Sequence, residues 1–192
     1  MLPLFLDVSR LNLVLTGNGR AALRRMQLLD EAGARCITVF APAPEPDLAA
    51  AAGSRLRRRW PKAADLDGTQ LVFIAGPLSE LRAALAAQAR QAGAVVHVED
   101  APALSDAQAA AVLRRGTLTV AVSTGGASPA LAVKMRDYLG DVIGPEWHDR
   151  VEQLSQQRSA WRQAGIATDR IAALTDEWLK CRGWLAAPGA PA

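Results

Sequence analysis

Gly17-Asn18-Gly19-Arg20-Ala21-Ala22 follows the apolar run Leu13-Val14-Leu15 and leads into a helical pattern carrying Leu23, Met26, Leu28 and Leu29. A Gly-x-Gly-x-x-Ala string in that setting is how a strand–turn–helix that binds a dinucleotide is written. Gly17 permits the tight turn off the strand, Gly19 lets a pyrophosphate approach the backbone, and Ala22 allows the helix to pack closely on the sheet. The helix N-terminus then offers free N–H groups and the positive end of its dipole to the phosphates. Asn18 holds the permissive middle position. Arg20 either meets the pyrophosphate or a substrate carboxylate, or is an exposed arginine at a helix start. The bland alternative for the whole stretch is a βαβ turn with no ligand. The second strand ends in Phe40-Ala41-Pro42, without the acid that usually grips a ribose there. Glu45, three residues further on, is the nearest candidate.

A second constellation centres on Asp100, which follows the apolar run Ala94–Val98. A carboxylate at the carboxyl end of a strand can take a proton as hydride leaves a substrate, or steer metal entry. An aspartate just before Pro102 can equally form an Asx turn or cap a helix. His97 is either a second polar contact to substrate or a satisfied structural residue of the strand. Further on, Ser123, Thr124 and Ser128 can hydrogen-bond substrate carboxylates, and Gly125-Gly126 lets the backbone come close. Ser128 can also simply cap the helix that begins at Pro129, and both roles can hold at once. No His, Cys, Asp or Glu set has metal-ligand spacing, so no fixed metal site is expected. Cys36 and Cys181, in a strand and a terminal helix, read as packing residues.

The elements that must position these groups alternate. Strands are expected at Asn12–Thr16, Cys36–Phe40, Leu71–Ala75 and Val95–Val98, with a poor edge strand near Arg55–Trp60. Helices are expected at Arg20–Ala32, at Asp47–Ala52, and from a cap at Ser79 to about Ala92. The fold class is therefore α/β: a Rossmann-like, mostly parallel sheet with helices on both faces, its ligand at the carboxyl ends of the strands near the order reversal. After Asp100 come a helix over Asp106–Arg115, a strand over Leu118–Ser123, the Thr124–Pro129 loop and a helix over Ala130–Leu139. Two helical patterns follow, Glu146–Ala164 and Asp169–Gly183, the second capped at Thr168 or Asp169, and the tail Ala186–Ala192 is expected to fray.

The 192 residues carry a net charge of +3, and half of them are hydrophobic, enough for a substantial core. A charge this small and dispersed argues against nucleic acid as a partner. The densest cluster, Arg55-Leu-Arg-Arg-Arg59, reads as a solvated edge strand or as a lure for a polyanionic substrate. No run approaches the ~18 uninterrupted apolar residues of a membrane span. The apolar N-terminus lacks a basic flank and is broken by Pro3 and Asp7, unlike a signal peptide, so a cytoplasmic protein is expected.

Together the Gly17–Ala22 turn, Val98-Glu99-Asp100-Ala101-Pro102 and the string Leu118-Thr-Val-Ala-Val-Ser-Thr-Gly-Gly-Ala-Ser-Pro129-Ala-Leu resemble precorrin-2 dehydrogenases. That family includes the N-terminal module of siroheme synthase and the stand-alone dehydrogenase and dehydrogenase/ferrochelatase enzymes. The resemblance runs from Leu2, where Pro-Leu-Phe-Leu-Asp matches the family's opening strand, to about Leu139. It implies NAD-dependent oxidation of precorrin-2 to sirohydrochlorin, with Fe²⁺ insertion in some members. It also implies a homodimer with an NAD-binding domain over residues 1–99, a dimerisation and substrate region over 100–143 and a helical region over 144–192. The family's catalytic aspartate falls on Asp100, and its cofactor contacts fall on residues 17–22, on Ala41 and Pro42, and on Ala75 and Gly76. Transient metal capture by Asp100 and the macrocycle stays open.

Several positions depart from the family's pattern. Its Ala-Thr-Asp/Asn after the buried strand is Ala75-Gly76-Pro77, the usual asparagine before the catalytic segment is His97, and Phe-x-x-Pro is replaced by Ala107-Gln-Ala-Ala110. These changes lie on the substrate side. They keep open a catalytically diverged dinucleotide- or tetrapyrrole-binding protein, a sensor or carrier. A dehydrogenase of another small molecule would leave the Ser-Thr-Gly-Gly-Ala-Ser-Pro string unexplained. The chain's length leaves no room for a methyltransferase module, so precorrin-2 is expected to come from another enzyme.

Overall fold

The computed structural model describes residues 2–76 and 81–185, so the expected cap at Ser79 and the tail 186–192 lie outside the described residues. The chain divides into two compact units, Met1–Ala109 and Ala110–Ala192.

The first unit runs β1 (Asn12–Gly17), α1 (Gly19–Glu31), β2 (Cys36–Phe40), α2 (Pro46–Ala52), β3 (Leu56–Arg57), β4 (Leu71–Ala75), α3 (Arg82–Gln91) and β5 (Val95–Val98). The five strands form one parallel sheet in the order β3-β2-β1-β4-β5, so the strand order reverses between β1 and β4. Leu71-Val-Phe-Ile-Ala75 is buried along its whole length, as a parallel strand covered on both faces must be. Alternate residues feed two cores: Leu13, Leu15 and Phe73 pack with Ala22, Met26 and Leu29 of α1, while Val14, Val72 and Ile74 pack with Leu85, Ala86 and Ala89 of α3. Ala22 is fully buried, as the close approach of α1 to the sheet requires.

Two expectations fail, the second in both units. Residues 2–7 form no opening strand; the chain enters irregularly and makes a single 3₁₀ turn at Val8–Arg10. Pro3 has no N–H for a ladder, and Asp7 turns the backbone by accepting from the Ser9 N–H at 3.2 Å. Cys36 and Cys181 are both exposed and do not pack, Cys36 because it opens β2 at the amino end of the sheet.

The second unit holds β6 (Ala111–Arg115), β7 (Leu118–Val122), α4 (Pro129–Val142), α5 (Trp147–Gln163) and α6 (Thr168–Arg182). Here the helix expected over Asp106–Arg115 is overturned: β6 pairs antiparallel with β7 in a hairpin that turns at Gly116, φ +60°. Ala, Gln, Leu and Arg favour a helix locally, but tertiary pairing overrides them. The Asp106 and Ala107 N–H groups donate to the Val96 carbonyl, and the Asp106 carboxylate accepts from the Val96 N–H at 3.1 Å. This lays the segment along β5 and leaves no residues to start a helical turn. Ser128 caps α4 by accepting from the Leu131 N–H at 3.2 Å, with Pro129 as its first residue. Neither Thr168 nor Asp169 caps α6; both lie inside its first turn, and Ala167 holds the cap position. No helix among the described residues is long and apolar enough to cross a membrane.

Candidate active site

The carboxyl ends of β1 and β4 meet where the strand order reverses. Gly17 has φ +143°, and a Cβ there would stand 1.6 Å from the Ala75 carbonyl oxygen. Gly76 has φ +100°, and a Cβ there would stand 2.2 Å from the Asn18 carbonyl oxygen. The Asn18 N–H donates to the Ala75 carbonyl at 3.1 Å. Gly17 and Gly76 are thus demanded by the packing of two chain segments against each other, whatever binds above them. Gly19, φ +72°, differs: only the Glu45 carboxylate would lie within 4 Å of a Cβ on it, so its backbone stays approachable. Arg82, at the start of α3, donates to the Gly76 carbonyl at 3.2 Å and places a guanidinium beside the same edge. Nothing in the sequence pattern marks Arg82 beyond its place in a helix's first turn.

Asn18 is not passive. Asparagine is among the best helix caps, yet its side chain makes no cap to α1. Its amide donates to the Ala43 carbonyl at 2.7 Å and its carbonyl accepts from the Glu45 N–H at 2.9 Å, tying down the loop after β2. The N-terminal N–H groups of α1 are left without a side-chain cap, with Ala21 behind them and the exposed Arg20 beside them. An uncapped helix start over an approachable Gly19 suits a pyrophosphate, so the residues present fit a dinucleotide. At the end of β2, Ala41 is buried and its N–H donates to the Arg57 carbonyl at 3.0 Å, while Pro42 is exposed.

Asp100 is exposed just beyond β5 and is the one non-glycine residue with positive φ, +55°, among the described residues. Asp tolerates this region better than most residues, and such outliers gather at functional sites. The turn is braced from both sides. The Ala101 N–H donates to the Val98 carbonyl at 3.3 Å, and Ser105 Oγ accepts from the Val98 N–H at 2.9 Å and faces the Val98 and Ala101 carbonyls. Glu99 reaches back to α1, where Arg25 Nη2 donates to it at 2.7 Å, with His97 Nε2 3.5 Å away. His97 and Arg25 together hold the Glu99 carboxyl down at about 2. His97 Nδ1–H donates to the Ala107 carbonyl at 3.0 Å, and the ring packs edge-on against Phe73, over which Arg25 also stacks. Both ring nitrogens of His97 are therefore engaged within the unit.

The structure brings Gly17 to Ala22, Ala41, Pro42, Ala75, Gly76 and Asp100 to one edge of one sheet, with His97 turned toward α1. The second unit holds the hydroxyl loop. Thr124 Oγ accepts from the Ser128 N–H and donates to the Ser128 carbonyl, both at 3.0 Å, and Ser123 Oγ accepts from the Gly125 N–H at 3.2 Å. Gly125 and Gly126 take φ +64° and +90°. The loop is thus built by its own hydroxyls and presents glycine backbone at the N-terminus of α4. No three His, Cys, Asp or Glu side chains gather to hold a metal among the described residues.

An NAD(P)-binding family model matches residues 4–111, and a model described as the central part of sirohaem biosynthesis proteins matches residues 115–141. The siroheme synthase of Methylococcus capsulatus is 36% identical over 166 residues, covering 85% of this chain and 35% of that protein. The siroheme synthase of Ectopseudomonas mendocina is 35% identical over 194 residues, covering 92% of this chain and 42% of that protein. The chain therefore spans about two fifths or less of the length of these curated relatives. Among solved structures, SirC, a precorrin-2 dehydrogenase, shares the fold with a TM-score of 0.75 at 22% identity, covering 97% of this chain and 93% of that one.

Proposed function

The chain belongs to the NAD(P)-binding family, and from that premise we propose that it oxidises precorrin-2 to sirohydrochlorin with NAD⁺. The observation that carries this reading is Asp100, an exposed carboxylate held in a braced left-handed turn on the same sheet edge as the dinucleotide turn. When bound, the dinucleotide supplies the hydride acceptor. Residues 17–22 hold its pyrophosphate, with Ala41, Pro42, Ala75 and Gly76 forming the walls beside them. Oxidation removes one hydride and one proton from the macrocycle, and the Asp100 carboxylate accepts the proton. The Ser123–Ser128 loop binds carboxylates of the tetrapyrrole through its glycine backbone and the positive end of α4. The residues group functionally as a dinucleotide domain over 1–99, a substrate and dimerisation region over 100–143 and a helical region over 144–192. The protein acts in the cytoplasm as a homodimer, and the apolar residues exposed along α4 support the dimer.

The departures on the substrate side favour one rival, a protein that binds dinucleotide or tetrapyrrole without turnover. An anaerobic absorbance assay separates the two. Precorrin-2 and NAD⁺ mixed with the full chain should yield the sirohydrochlorin spectrum together with stoichiometric NADH. Dinucleotide binding by calorimetry with no such product sinks the dehydrogenase in favour of the rival. Adding Fe²⁺ to the same cuvette reads chelatase activity, with Fe²⁺ as substrate, by the appearance of siroheme.

A further inference from the structure

We propose that Glu45, fixed in place by Asn18, is the acid that receives the adenosine ribose of the dinucleotide and excludes a phosphate on it. The proposal rests on dinucleotide binding by this chain and not on the identity of the tetrapyrrole.

By sequence count Glu45 sits too far along to serve as the ribose-gripping acid, five residues past the end of β2. Three observations bring it back. Asn18 clamps the loop at two points, Ala43 O at 2.7 Å and Glu45 N at 2.9 Å, and so draws the start of α2 toward the glycine turn. The carboxylate then lies over that turn, with Oε1 3.4 Å from where a Cβ on Gly19 would stand. Prolines at 42, 44 and 46 stiffen the same loop, and Glu45, preceding Pro46, takes the extended backbone that position enforces.

The charge around the mouth decides what this carboxylate selects. Two vicinal ribose hydroxyls can both donate to it, which is how an acid at this place in the fold accepts NAD. A 2′-phosphate needs a cation instead; Arg55, Arg57 and Arg59 near β2 are engaged by protein groups, while Arg58 and, at the glycine turn, Arg20 are exposed. Arg55 is paired with Asp30 and also donates to the Ala51 and Ala52 carbonyls. Arg57 Nη1 donates to the Ser54 and Leu56 carbonyls, and Arg59 is paired with Asp65. A phosphate dianion brought to the ribose position would face a carboxylate, and like charges at short range repel.

The test is isothermal titration calorimetry of NAD⁺ and NADP⁺ into the full chain and into Glu45→Gln and Asn18→Gly. Glu45 is exposed, so its substitution leaves both cores untouched, and melting curves check that each variant is folded. The parent should bind NAD⁺ at least ~100-fold more tightly than NADP⁺. Glu45→Gln should weaken NAD⁺ by roughly tenfold or more, the loss of a charged hydrogen-bond acceptor, without weakening NADP⁺. Asn18→Gly, which frees the loop, should erode the same ratio by a smaller factor. Equal affinity of the parent for both dinucleotides overturns the proposal. So does a Glu45→Gln protein that is folded and keeps the parent's ratio, and in that case dinucleotide binding itself stands. A parent that binds neither dinucleotide overturns both.

Discussion

Asp100 and Glu99 are neighbours with opposite assignments. Asp100 faces solvent in a strained conformation, whereas Glu99 is turned inward and paired with Arg25, with His97 beside it. If Asp100 is the proton acceptor, Asp100→Asn lowers kcat by ~10²–10⁴-fold, while the NAD⁺ affinity measured by calorimetry stays at the parent's value. Unchanged kcat removes Asp100 from the chemistry. Glu99 contributes stability instead. Its carboxyl is held at about 2 in the folded chain against 4.5 for the unperturbed group. Because the folded value is the lower one, the stabilisation is complete above about pH 4.5 and is lost as pH falls toward 2. Its size is on the order of 2–3 kcal/mol. Urea titrations should therefore show parent and Glu99→Gln fully separated at about pH 6, with the gap narrowing from about pH 4.5 downward and closing only near pH 2, and a separation independent of pH refutes the assignment. Gly17 makes the sharpest residue-scale case. A Cβ there would fall on the backbone of Ala75, so Gly17→Ala should cost about 3 kcal/mol or more, read from the denaturation midpoint. A near-neutral Gly17→Ala would mean that β1 and β4 part easily.

Elements were legible in the sequence wherever local and tertiary demands agreed. Cys36–Phe40, Leu71–Ala75 and Val95–Val98 stand where apolar runs between turn residues place them, and Leu71–Ala75, buried on both faces, needs no alternation to be read. The turn from β1 into α1 was legible because its small residues answer steric demands, Gly17 against Ala75 and Ala22 against the sheet. Asn18, Arg82 and the inward orientation of His97 and Glu99 were not, because each depends on a group 25 or more residues away or on a bond to a backbone carbonyl. The failure at Asp106–Arg115 is the instructive one: a strong local helix preference lost to pairing with β5 and β7 that no local window contains. The hairpin also shows how that exchange is stabilised. Arg115, at the end of β6, donates to the Ile143 carbonyl at 2.8 Å and the Gly140 carbonyl at 3.0 Å, satisfying the last turn of α4 from outside. Arg115→Ala should destabilise the second unit by ~1–3 kcal/mol and leave the melting of the first unit unmoved, which differential scanning calorimetry resolves. A shift in both transitions would show that the two unfold as one.

Among the described residues, the N-terminal Leu2, Leu4, Phe5 and Leu6 and one side of α4 leave apolar side chains exposed, and the α4 set is the one on a regular element. Leu131, Met135, Tyr138 and Val142 are 50%, 41%, 62% and 52% exposed along α4. Their spacing of four, three and four residues puts them on one stripe of the helix. Single exposed apolar residues need no explanation, but a continuous stripe of this kind marks an interaction surface. The proposed homodimer would seat a second copy there, because a two-fold axis lets one stripe pack against its own image and closes the assembly at two. Sedimentation velocity at tens of micromolar should give a dimer for the parent and a monomer for Met135→Asp or Tyr138→Asp, with helical content unchanged. A parent that sediments as a monomer, or substitutions that leave a dimer intact, would assign the stripe to some other contact. The first unit has its own closed pair of cores and carries the whole dinucleotide turn. A monomeric variant should therefore keep the parent's affinity for NAD⁺, whatever happens to its turnover of tetrapyrrole.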